Sequence, residues 1–390
     1  MKIAHVVSTF PPHIGGMGMV TYEEAQRLQK RGHEVTVFTL QYPHTTYHTI
    51  DQSFPFNIVR LSPWFRAGDG GLTPQLFARL KNFDIIHLHY PFYGGAEWVW
   101  RAARWYKKPY VVTYHMDADP TGSIKKALQT LYDRWWALKI LCGARVLIGV
   151  GRQHFLSTKF GKKLLEQRKC VEIKLGIDTE IFKTLTVFPQ NFSLPSGIQN
   201  KKIILFVGNL ITLKRLEILI EAFKTISFTE SEAVVVIVGD GSERSRYEKL
   251  THELGLSEKI FFVGVCSDKQ ILSAYYNSAT VVVVPSEQES FSLVTSEAMA
   301  CGKVVIGSSI PVLQERIQDG QNGFLFQEGN AEDLERVLMR VLQLSADEQQ
   351  RIGEYAQKKI IKNYSWEKHV DELEEVYNSV RNFPSLPRRG

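Results

Sequence analysis

Two glutamates eight positions apart are the residues of this chain best placed to do chemistry. Glu289 and Glu297 lie between two apolar runs, 281–284 and 304–306. Such runs are typical of buried parallel strands, and the segment between them predicts a loop leading into a helix that begins near residues 289–292. The first turn of a helix presents free backbone N–H groups and a positive dipole end, which suit a phosphate. The two carboxylates could therefore bind the hydroxyls of a sugar nucleotide, or they could be surface glutamates on an ordinary helix.

The sequence around the two glutamates favours the first interpretation. Pro-Ser precedes them and Ala-Met-Ala-Cys-Gly follows, and the segment resembles the E-x7-E motif of the retaining, family-four glycosyltransferases. The resemblance covers nearly the whole chain. It implies an α/β protein of the GT-B fold, with two Rossmann-like, doubly wound domains facing each other across a cleft and a C-terminal helix crossing back to the N-terminal domain.

The alternation of apolar runs with helical spacing agrees with that architecture, because it occurs twice along the 390 residues. The predicted strands are 3–7, 34–39, 85–89, 110–113 and 146–150 in the first half, and 202–207, 233–238, 260–263, 281–284, 304–306 and 323–326 in the second. The predicted domains are an N-terminal acceptor-binding domain over 1–183 together with helix 366–382, a linker over 184–200, and a donor-binding domain over 201–363.

A glycine-rich turn follows the first predicted strand. Gly15, Gly16 and Gly18 do not complete a G-x-G-x-x-G dinucleotide fingerprint, and no acidic residue suits a nicotinamide ribose after the second strand. The turn could let backbone N–H groups approach a diphosphate, as the first loop of the resembled family does, or it could be a simple connection between strand and helix.

The start of the second half is similar to the family's G-R-L-x-x-x-K-G segment. Lys214 matches the lysine that neutralises the donor diphosphate, whereas Asn209 replaces the arginine. One positive charge is therefore missing unless Arg215 supplies it. A single lysine still stabilises a leaving diphosphate as a point charge.

Further donor-binding residues follow from the same resemblance. Loops that contain Gly241 and Val265 are expected to approach the nucleobase. The residues expected to donate backbone N–H groups to the diphosphate are Gly16, Ser290, Phe291, Ser292 and Leu293.

Histidines mark the carboxyl ends of the strands in the first half. His115 and Asp117 follow a predicted strand, at the edge where ligands of such sheets bind. His87 and His89 alternate along another strand, so both point to one face. They could bind zinc, but no third ligand is evident, and a role on the acceptor side of the cleft is the preferred interpretation.

The resemblance also implies roles for these residues. Glu289 would bind the donor sugar and stabilise positive charge at its anomeric carbon, Glu297 would hold the ribose, and His115 would orient the donor near the reacting bond. In the family the departing phosphate is thought to take the acceptor proton, so no enzymic base is assigned. No metal site is assigned, no metal is expected to be required, and the nucleotide sugar is a co-substrate rather than a cofactor.

Charge and cysteine content narrow the class of protein. Residues 101–170 carry 15 Lys/Arg against four Asp/Glu, a net charge of +11, while the remaining residues sum to −5. This basic block contains Trp105, Trp135 and Trp136, so it could lie on an anionic membrane or be a solvated basic face. The four cysteines lack the spacing of a metal site, so they predict reduced thiols in the cytoplasm.

No apolar stretch is long enough to span a membrane.

The sequence therefore predicts a retaining hexosyltransferase that uses a UDP- or GDP-sugar and a glycan or lipid-linked acceptor in cell-surface polysaccharide or glycolipid synthesis. It is expected in the cytoplasm, with peripheral binding to the inner membrane face as a further hypothesis and no nucleic-acid partner. A sugar-nucleotide 2-epimerase, a non-catalytic nucleotide-sugar binding protein and a nicotinamide dehydrogenase remain the alternatives.

Overall fold

The chain forms two compact units. A computed structural model describes residues 1–13, 16–42, 51, 53–117, 129–151, 155–156, 158–166, 170–289 and 291–382. One unit comprises Met1–Leu175 with Trp366–Gly390, and the other comprises Gly176–Ser365. Residues 184–200, predicted as a linker, fall within the second unit.

The first unit is built on a seven-stranded sheet whose strands are all parallel, in the order β3-β2-β1-β6-β7-β8-β9. Its strands are β1 (Lys2–Val6), β2 (Glu34–Leu40), β3 (Asn57–Leu61), β6 (Ile85–Tyr90), β7 (Tyr110–Tyr114), β8 (Val146–Gly149) and β9 (Cys170–Glu172). A short antiparallel pair consists of β4 (Arg66–Ala67) and β5 (Gly70–Gly71). The central strands β6 and β7 are buried along their whole length, as parallel strands covered on both faces must be.

Helices cover this sheet. They are α1 (Gly16–Lys30), α2 (Leu76–Arg79), α3 (Ala96–Trp105), α4 (Leu138–Gly143) and α5 (Gly161–Glu166), with a 3₁₀ turn at Leu80–Asn82 and a π-helical segment at Asp133–Ala137. Helix α1 buries Ala25 and Leu28 against the sheet, which explains the helical spacing of the apolar residues in that segment.

The second unit has a six-stranded parallel sheet in the order β12-β11-β10-β13-β14-β15. Its strands are β10 (Lys202–Val207), β11 (Ala233–Val238), β12 (Ile260–Gly264), β13 (Val281–Val284), β14 (Val304–Ser308) and β15 (Phe324–Phe326). Its helices are a 3₁₀ turn at Thr212–Lys214, then α6 (Leu216–Thr229), α7 (Arg244–Glu253), α8 (Lys269–Ser278), α9 (Leu293–Ala300), α10 (Pro311–Gln314), α11 (Ala331–Leu342) and α12 (Ala346–Asn363).

The last helix, α13 (Trp366–Arg381), returns to the first unit. Arg31 at the end of α1 pairs with Asp371 and Glu374 at 2.6 Å each, and Tyr377 of α13 is fully buried beneath it. The predicted α/β class, the two Rossmann-like units and the returning C-terminal helix are confirmed.

Two strands of the seven-stranded sheet escaped the sequence prediction. Strand β3 is only half-buried and contains Arg60, and β9 has three residues of which Val171 and Glu172 are exposed. Both lie at the edges of the sheet, where one side is open to water, so neither carries the uninterrupted apolar run that identifies a buried strand.

Candidate functional site

Glu289 follows strand β13 and is held in place by two donors. Lys214 Nζ lies 2.6 Å from Glu289 Oε1, and Ser286 Oγ donates to the same oxygen at 2.8 Å. The side chain of Glu289 is 9% exposed and that of Lys214 is 23% exposed. The structure thus brings together two residues that are 75 positions apart in the sequence and that were predicted to act on the same ligand.

Helix α9 begins at Leu293, one residue after the predicted interval of 289–292. Ser292 forms the N-cap of the helix and adopts a left-handed conformation with φ of 55°. Ser292 Oγ and Thr295 Oγ1 hydrogen-bond at 2.8 Å. Phe291 is buried and Leu293 is partly exposed, whereas Ser290 lies outside the described residues.

Glu297 occupies the second turn of α9. Tyr276 Oη of helix α8 donates to Glu297 Oε2 at 2.8 Å, which leaves Oε1 able to accept from another hydroxyl. Burial raises the pKa of Glu297 to about 6, although the hydrogen bond from Tyr276 opposes that rise. The group is therefore a carboxylate at neutral pH that protonates in mild acid.

Arg215 is engaged by two acidic neighbours. It adopts a left-handed conformation, with φ of 51°, between the 3₁₀ turn and α6. Its guanidinium pairs with Glu217 Oε1 and with Glu287 Oε2, at 3.3 Å each. Asn209 is exposed in the loop after β10. The positive charge that Asn209 does not provide is therefore present nearby on Arg215, but two carboxylates already offset it.

Glycines let the loops after β10 and β11 pack back to back. A Cβ on Gly239 would stand 1.9 Å from Gly208 O, and one on Gly241 would stand 2.4 Å from Leu210 O. No larger residue fits either place without a shift of the backbone. Val265, in the loop after β12, is 71% exposed, so its backbone and side chain face solvent.

Three residues of this site were missed by sequence reasoning. Ser286 and Tyr276 hold the two glutamates, and Arg316 supports the helix start: its guanidinium lies 4.0 Å from the centroid of the Phe291 ring and its Nε donates to Ser296 Oγ at 3.1 Å. Ser286 lies within the motif itself and could have been noted there. Tyr276 and Arg316 come from α8 and from beyond α10, and their sequence surroundings carry no signal.

His115 lies at the end of β7 in the first unit. Its backbone N–H donates to Tyr90 O at 3.0 Å, and its Nε2 lies 3.0 Å from His89 Nδ1. The residue is 6% exposed. Asp117, which is exposed, accepts from Tyr114 Oη and from the backbone N–H of Lys159 at 2.8 Å. The Asp117 carboxylate thus ties the loop after β7 to the segment around residue 159.

His87 and His89 are fully buried, so they face the interior of the first unit and not its surface. Any influence of the pair on an acceptor must pass through another residue. His5 of β1 is in register with His87, and Glu24 of α1 lies 3.6 Å from ring nitrogens of all three histidines. The structure therefore places His5 and Glu24 beside the two histidines, a proximity that the sequence did not reveal.

Burial also sets the charge of this cluster. Loss of hydration lowers the pKa of His5 to about 4 and that of His87 to about 3, and it lowers the pKa of His89 well below the ordinary value. Burial alone would raise the pKa of Glu24, but the hydrogen bond from His369 and the surrounding histidines bring it below the ordinary value. Three neutral imidazoles thus surround one carboxylate at neutral pH.

The glycine turn starts helix α1. Gly16 is exposed, and a Cβ there would meet nothing within 4 Å. Gly18, by contrast, lets α1 pack closely on the segment after β1, since its Cβ would stand 2.7 Å from Thr9 O. Gly15 lies outside the described residues. Close packing therefore explains why residue 18 is a glycine. Gly16 has no such packing contact and is accessible to a ligand.

The basic block has stacked and exposed tryptophans. The Arg101 guanidinium lies over the rings of Trp98 and Trp136, at 4.5 and 4.7 Å from their centroids, while Trp105 and Trp135 are 75% and 56% exposed. Among the described residues, no helix combines the length and the apolar character needed to cross a bilayer.

Comparison with known proteins identifies both units. The family model "Glycosyltransferase Family 4" matches residues 14–180, and the model "Glycosyl transferases group 1" matches residues 191–359. The chain is 25% identical to N-acetyl-alpha-D-glucosaminyl L-malate synthase of Bacillus anthracis, over 97% of this chain and 98% of that protein. It is 28% identical to D-inositol 3-phosphate glycosyltransferase of Thermomonospora curvata, over 94% of this chain and 91% of that protein.

A solved structure shares the fold along the whole chain. Anabaena HepE in complex with UDP matches with a TM-score of 0.75 and 18% identity, covering 97% of this chain and 100% of that one. The same protein has also been solved in complex with UDP-glucose. At this level of identity the likeness shows the architecture alone.

Proposed function

This chain belongs to the glycosyltransferases of group 1 and family 4, and from that premise we propose that it is a retaining hexosyltransferase that uses a UDP-sugar and an anionic acceptor. The observation that carries the proposal is the pairing of Glu289 with Lys214 at 2.6 Å beside the start of helix α9. Together they place an acceptor of sugar hydroxyl hydrogen bonds, a cation and free backbone N–H groups in one loop cluster of the second unit.

The proposed donor site divides the nucleotide sugar among these groups. Lys214 has three N–H donors, and its contact with Glu289 uses one, so others can bind the diphosphate. The N–H groups at the start of α9 add the helix dipole to that charge. Glu297, held by Tyr276 through Oε2, accepts from the ribose through Oε1. The diphosphate becomes more negative as the glycosidic bond breaks, so donors already in place lower the barrier.

The choice of UDP rests on a structural neighbour. HepE binds UDP and UDP-glucose, and its architecture matches this chain. Glu289 would hold the hexose hydroxyls. No side chain is assigned as a base, because a departing phosphate oxygen can take the acceptor proton, which retains the anomeric configuration when attack occurs on the face that the diphosphate leaves.

The acceptor class rests on the named relatives. Both act on small hydroxylated anions by name, L-malate in one and inositol 3-phosphate in the other. The net charge of +11 over residues 101–170 suits an acceptor of that charge. A lipid-linked or glycan acceptor at a membrane is the second candidate, favoured by the exposed rings of Trp105 and Trp135.

The first test is transfer from UDP-sugars and GDP-sugars to L-malate, inositol 3-phosphate and a short anionic glycan, with product configuration read by NMR. An α-linked product from an α-linked UDP-sugar supports the proposal. A product with inverted anomeric configuration would refute the retaining mechanism. A preference for GDP-sugars would refute the assignment of a UDP-sugar as the donor. Conversion of the donor sugar without any acceptor would indicate an epimerase, and donor binding without turnover would indicate a binding protein.

The membrane alternative needs its own experiment. The variant Arg134→Glu/Lys139→Glu reverses two charges beside Trp135 and Trp136. If a lipid surface is the docking partner, binding to anionic vesicles falls while transfer to a water-soluble acceptor is kept. Equal vesicle binding by the variant and the parent protein would exclude that role for this part of the basic block. Lys125 and Lys126, also in the block, lie outside the described residues.

A further inference from the structure

A second cluster of chemistry-bearing side chains lies inside the first unit, and the transfer reaction does not use it directly. His5, Glu24, His87 and His89 each offer one ligand atom, and these four atoms all lie within 4.8 Å of one another. They come from β1, α1 and β6. All four residues are buried, with no more than 1% exposure.

The distances from Glu24 to the three histidines suit a shared ion better than hydrogen bonds. Glu24 Oε2 lies 3.6 Å from His5 Nδ1, from His87 Nδ1 and from His89 Nε2. A separation of 3.6 Å is too long for a hydrogen bond. In a tetrahedral site with zinc–ligand bonds of about 2.0–2.1 Å, neighbouring ligand atoms stand about 3.4 Å apart. The three equal distances therefore match the edges of a coordination shell.

An unsatisfied atom supports the same conclusion. Glu24 Oε2 is buried and has no hydrogen-bond partner among the described residues. A buried carboxylate oxygen without a donor is unfavourable, and three nearby ring nitrogens do not relieve it at 3.6 Å. A cation at their centre would satisfy it.

We propose that His5, Glu24, His87 and His89 bind a four-coordinate transition-metal ion, zinc by its ligand chemistry. Imidazole and carboxylate are ligands that zinc accepts, and four protein ligands without exposure make a closed, structural site. The proposal is independent of the donor and acceptor assigned above, and it adds an ion where the sequence alone showed only two candidate ligands.

Three of the four ligands have the outer contacts that a metal site needs, whereas the other ring nitrogen of His5, Nε2, has no hydrogen-bond partner among the described residues. His87 Nε2 lies 2.7 Å from Thr113 Oγ1, and Glu24 Oε1 lies 2.9 Å from His369 Nε2. When His89 binds the ion through Nε2, its hydrogen must be on Nδ1, which faces His115 Nε2 at 3.0 Å. The ion would thus fix the tautomer of His115, which makes His89 a positioning residue for it.

Two contacts compete with the ion. His5 Nδ1 and His89 Nε2, both assigned to the metal, lie 3.0 Å apart, which is a hydrogen-bond distance. Tyr377 Oη lies 2.7 Å from His87 Nδ1, the nitrogen assigned to the metal, so the hydroxyl cannot donate to that nitrogen when the ion is bound. The variant Tyr377→Phe separates the two possibilities. A metal site keeps its ion in this variant. If the cluster is held only by hydrogen bonds, the variant loses the hydrogen bond of the Tyr377 hydroxyl, and neither the variant nor the parent protein binds an ion.

The decisive measurement is the metal content of the full, untagged chain by mass spectrometry, before and after dialysis against EDTA. We expect about one zinc per chain that survives dialysis, because the ligands are buried. Refolding the stripped protein with Co²⁺ should give the strong visible bands of four-coordinate cobalt. A folded protein without stoichiometric metal, which also takes up neither Zn²⁺ nor Co²⁺ on refolding, would overturn the proposal.

Variants locate the ion. His5→Gln and Glu24→Gln should abolish stoichiometric metal, and His369→Gln should weaken zinc binding by about 10- to 100-fold. His252→Gln, which changes an exposed histidine of the second unit, is the matched control and should retain the ion. Full zinc in both ligand variants would place the metal elsewhere and refute the assignment. If a ligand variant fails to fold, the cobalt spectrum of the parent protein still decides whether the site exists.

Discussion

Lys214 and Glu289 form a close ion pair in the second unit, with Nζ and Oε1 2.6 Å apart. Ser286 donates to the same carboxylate oxygen at 2.8 Å, so the second oxygen, Oε2, remains for a ligand. Two fixed donors restrict the rotation of a side chain that would otherwise sample several rotamers. The loop after β13 is thereby organised before a nucleotide sugar arrives.

Loss of the Glu289 charge should affect transfer far more than folding. For Glu289→Gln we expect kcat/KM to fall by about 10²- to 10³-fold, the scale of a lost transition-state contact. The melting temperature should change by only a few degrees, because the amide can still accept from Ser286. Initial rates with the preferred UDP-sugar and calorimetry check both values. Glu328→Gln, at an exposed glutamate, is the control. A melting temperature as low as that of a core truncation would mean that Glu289 is structural.

Glu297 should make both stability and nucleotide affinity depend on pH. Its pKa is raised by burial to about 6 from an ordinary value of 4.5, so the folded protein binds this proton more tightly than the unfolded chain. The resulting penalty is absent below about pH 4.5 and fully present above about pH 6. Glu297→Gln removes it and should stabilise the protein at pH 7.5 by about 2 kcal/mol, with no gain at pH 4.5.

The same variant should bind UDP less well, because an amide oxygen is a weaker acceptor for ribose hydroxyls than a carboxylate. We expect about a tenfold loss of affinity at pH 7.5. For the parent protein, affinity should fall as the pH drops through 6. Calorimetric titration of UDP at several pH values measures both effects, and equal affinity of the two proteins at pH 7.5 would remove Glu297 from the ribose site.

Gly239 should tolerate no side chain. Its φ of 146° lies in the region that favours glycine, and an added Cβ would stand 1.9 Å from Gly208 O. Gly239→Ala should therefore destabilise the second unit by about 3 kcal/mol or more. Gly329→Ala is the matched control, since its positive φ of 72° adds strain without a steric clash, and it should cost about 1 kcal/mol. Urea unfolding gives both values, and equal losses would contradict the close approach.

Arg316 should act as a support for the donor loop. It is 2% exposed, lies over the Phe291 ring and donates to Ser296 Oγ. Arg316→Met removes these contacts and should destabilise the protein by about 2–4 kcal/mol. UDP affinity should fall as well, because Ser296 adjoins Glu297. The exposed Arg340, which lies 5.0 Å from the centroid of Phe324, serves as the comparison. Arg340→Met should change stability by about 1 kcal/mol or less and leave UDP affinity intact.

The class of the fold could be predicted from the sequence, because buried parallel strands are apolar along their whole length. Strands β10, β11 and β13 have the bounds that were predicted from their apolar runs. The start of helix α12 also has a local cause, since Ser345 forms a capping box with Glu348 three positions further along the chain. The edge strands β3 and β9 were not predicted, because a strand with one side open to water lacks the uninterrupted apolar run of a buried strand.

Spacing in the sequence also predicts which residues of the second unit lie close together, provided that those residues belong to one loop. Glu289 and Glu297 belong to one strand–loop–helix segment, so their spacing alone places them together. The pairing of Glu289 with Lys214 was anticipated only through the resemblance to a family.

The histidine cluster and the supports of the donor loop could not be predicted from the sequence and are visible only in the folded chain. His5 meets His87 because β1 and β6 are neighbours in the sheet although 82 positions separate the two residues in the sequence, and Glu24 reaches both from α1. Tyr276 and Arg316 likewise approach the loop from other elements. Such contacts depend on strand order and helix packing, which have no local trace in the sequence because the interacting groups are brought together only when the sheet forms.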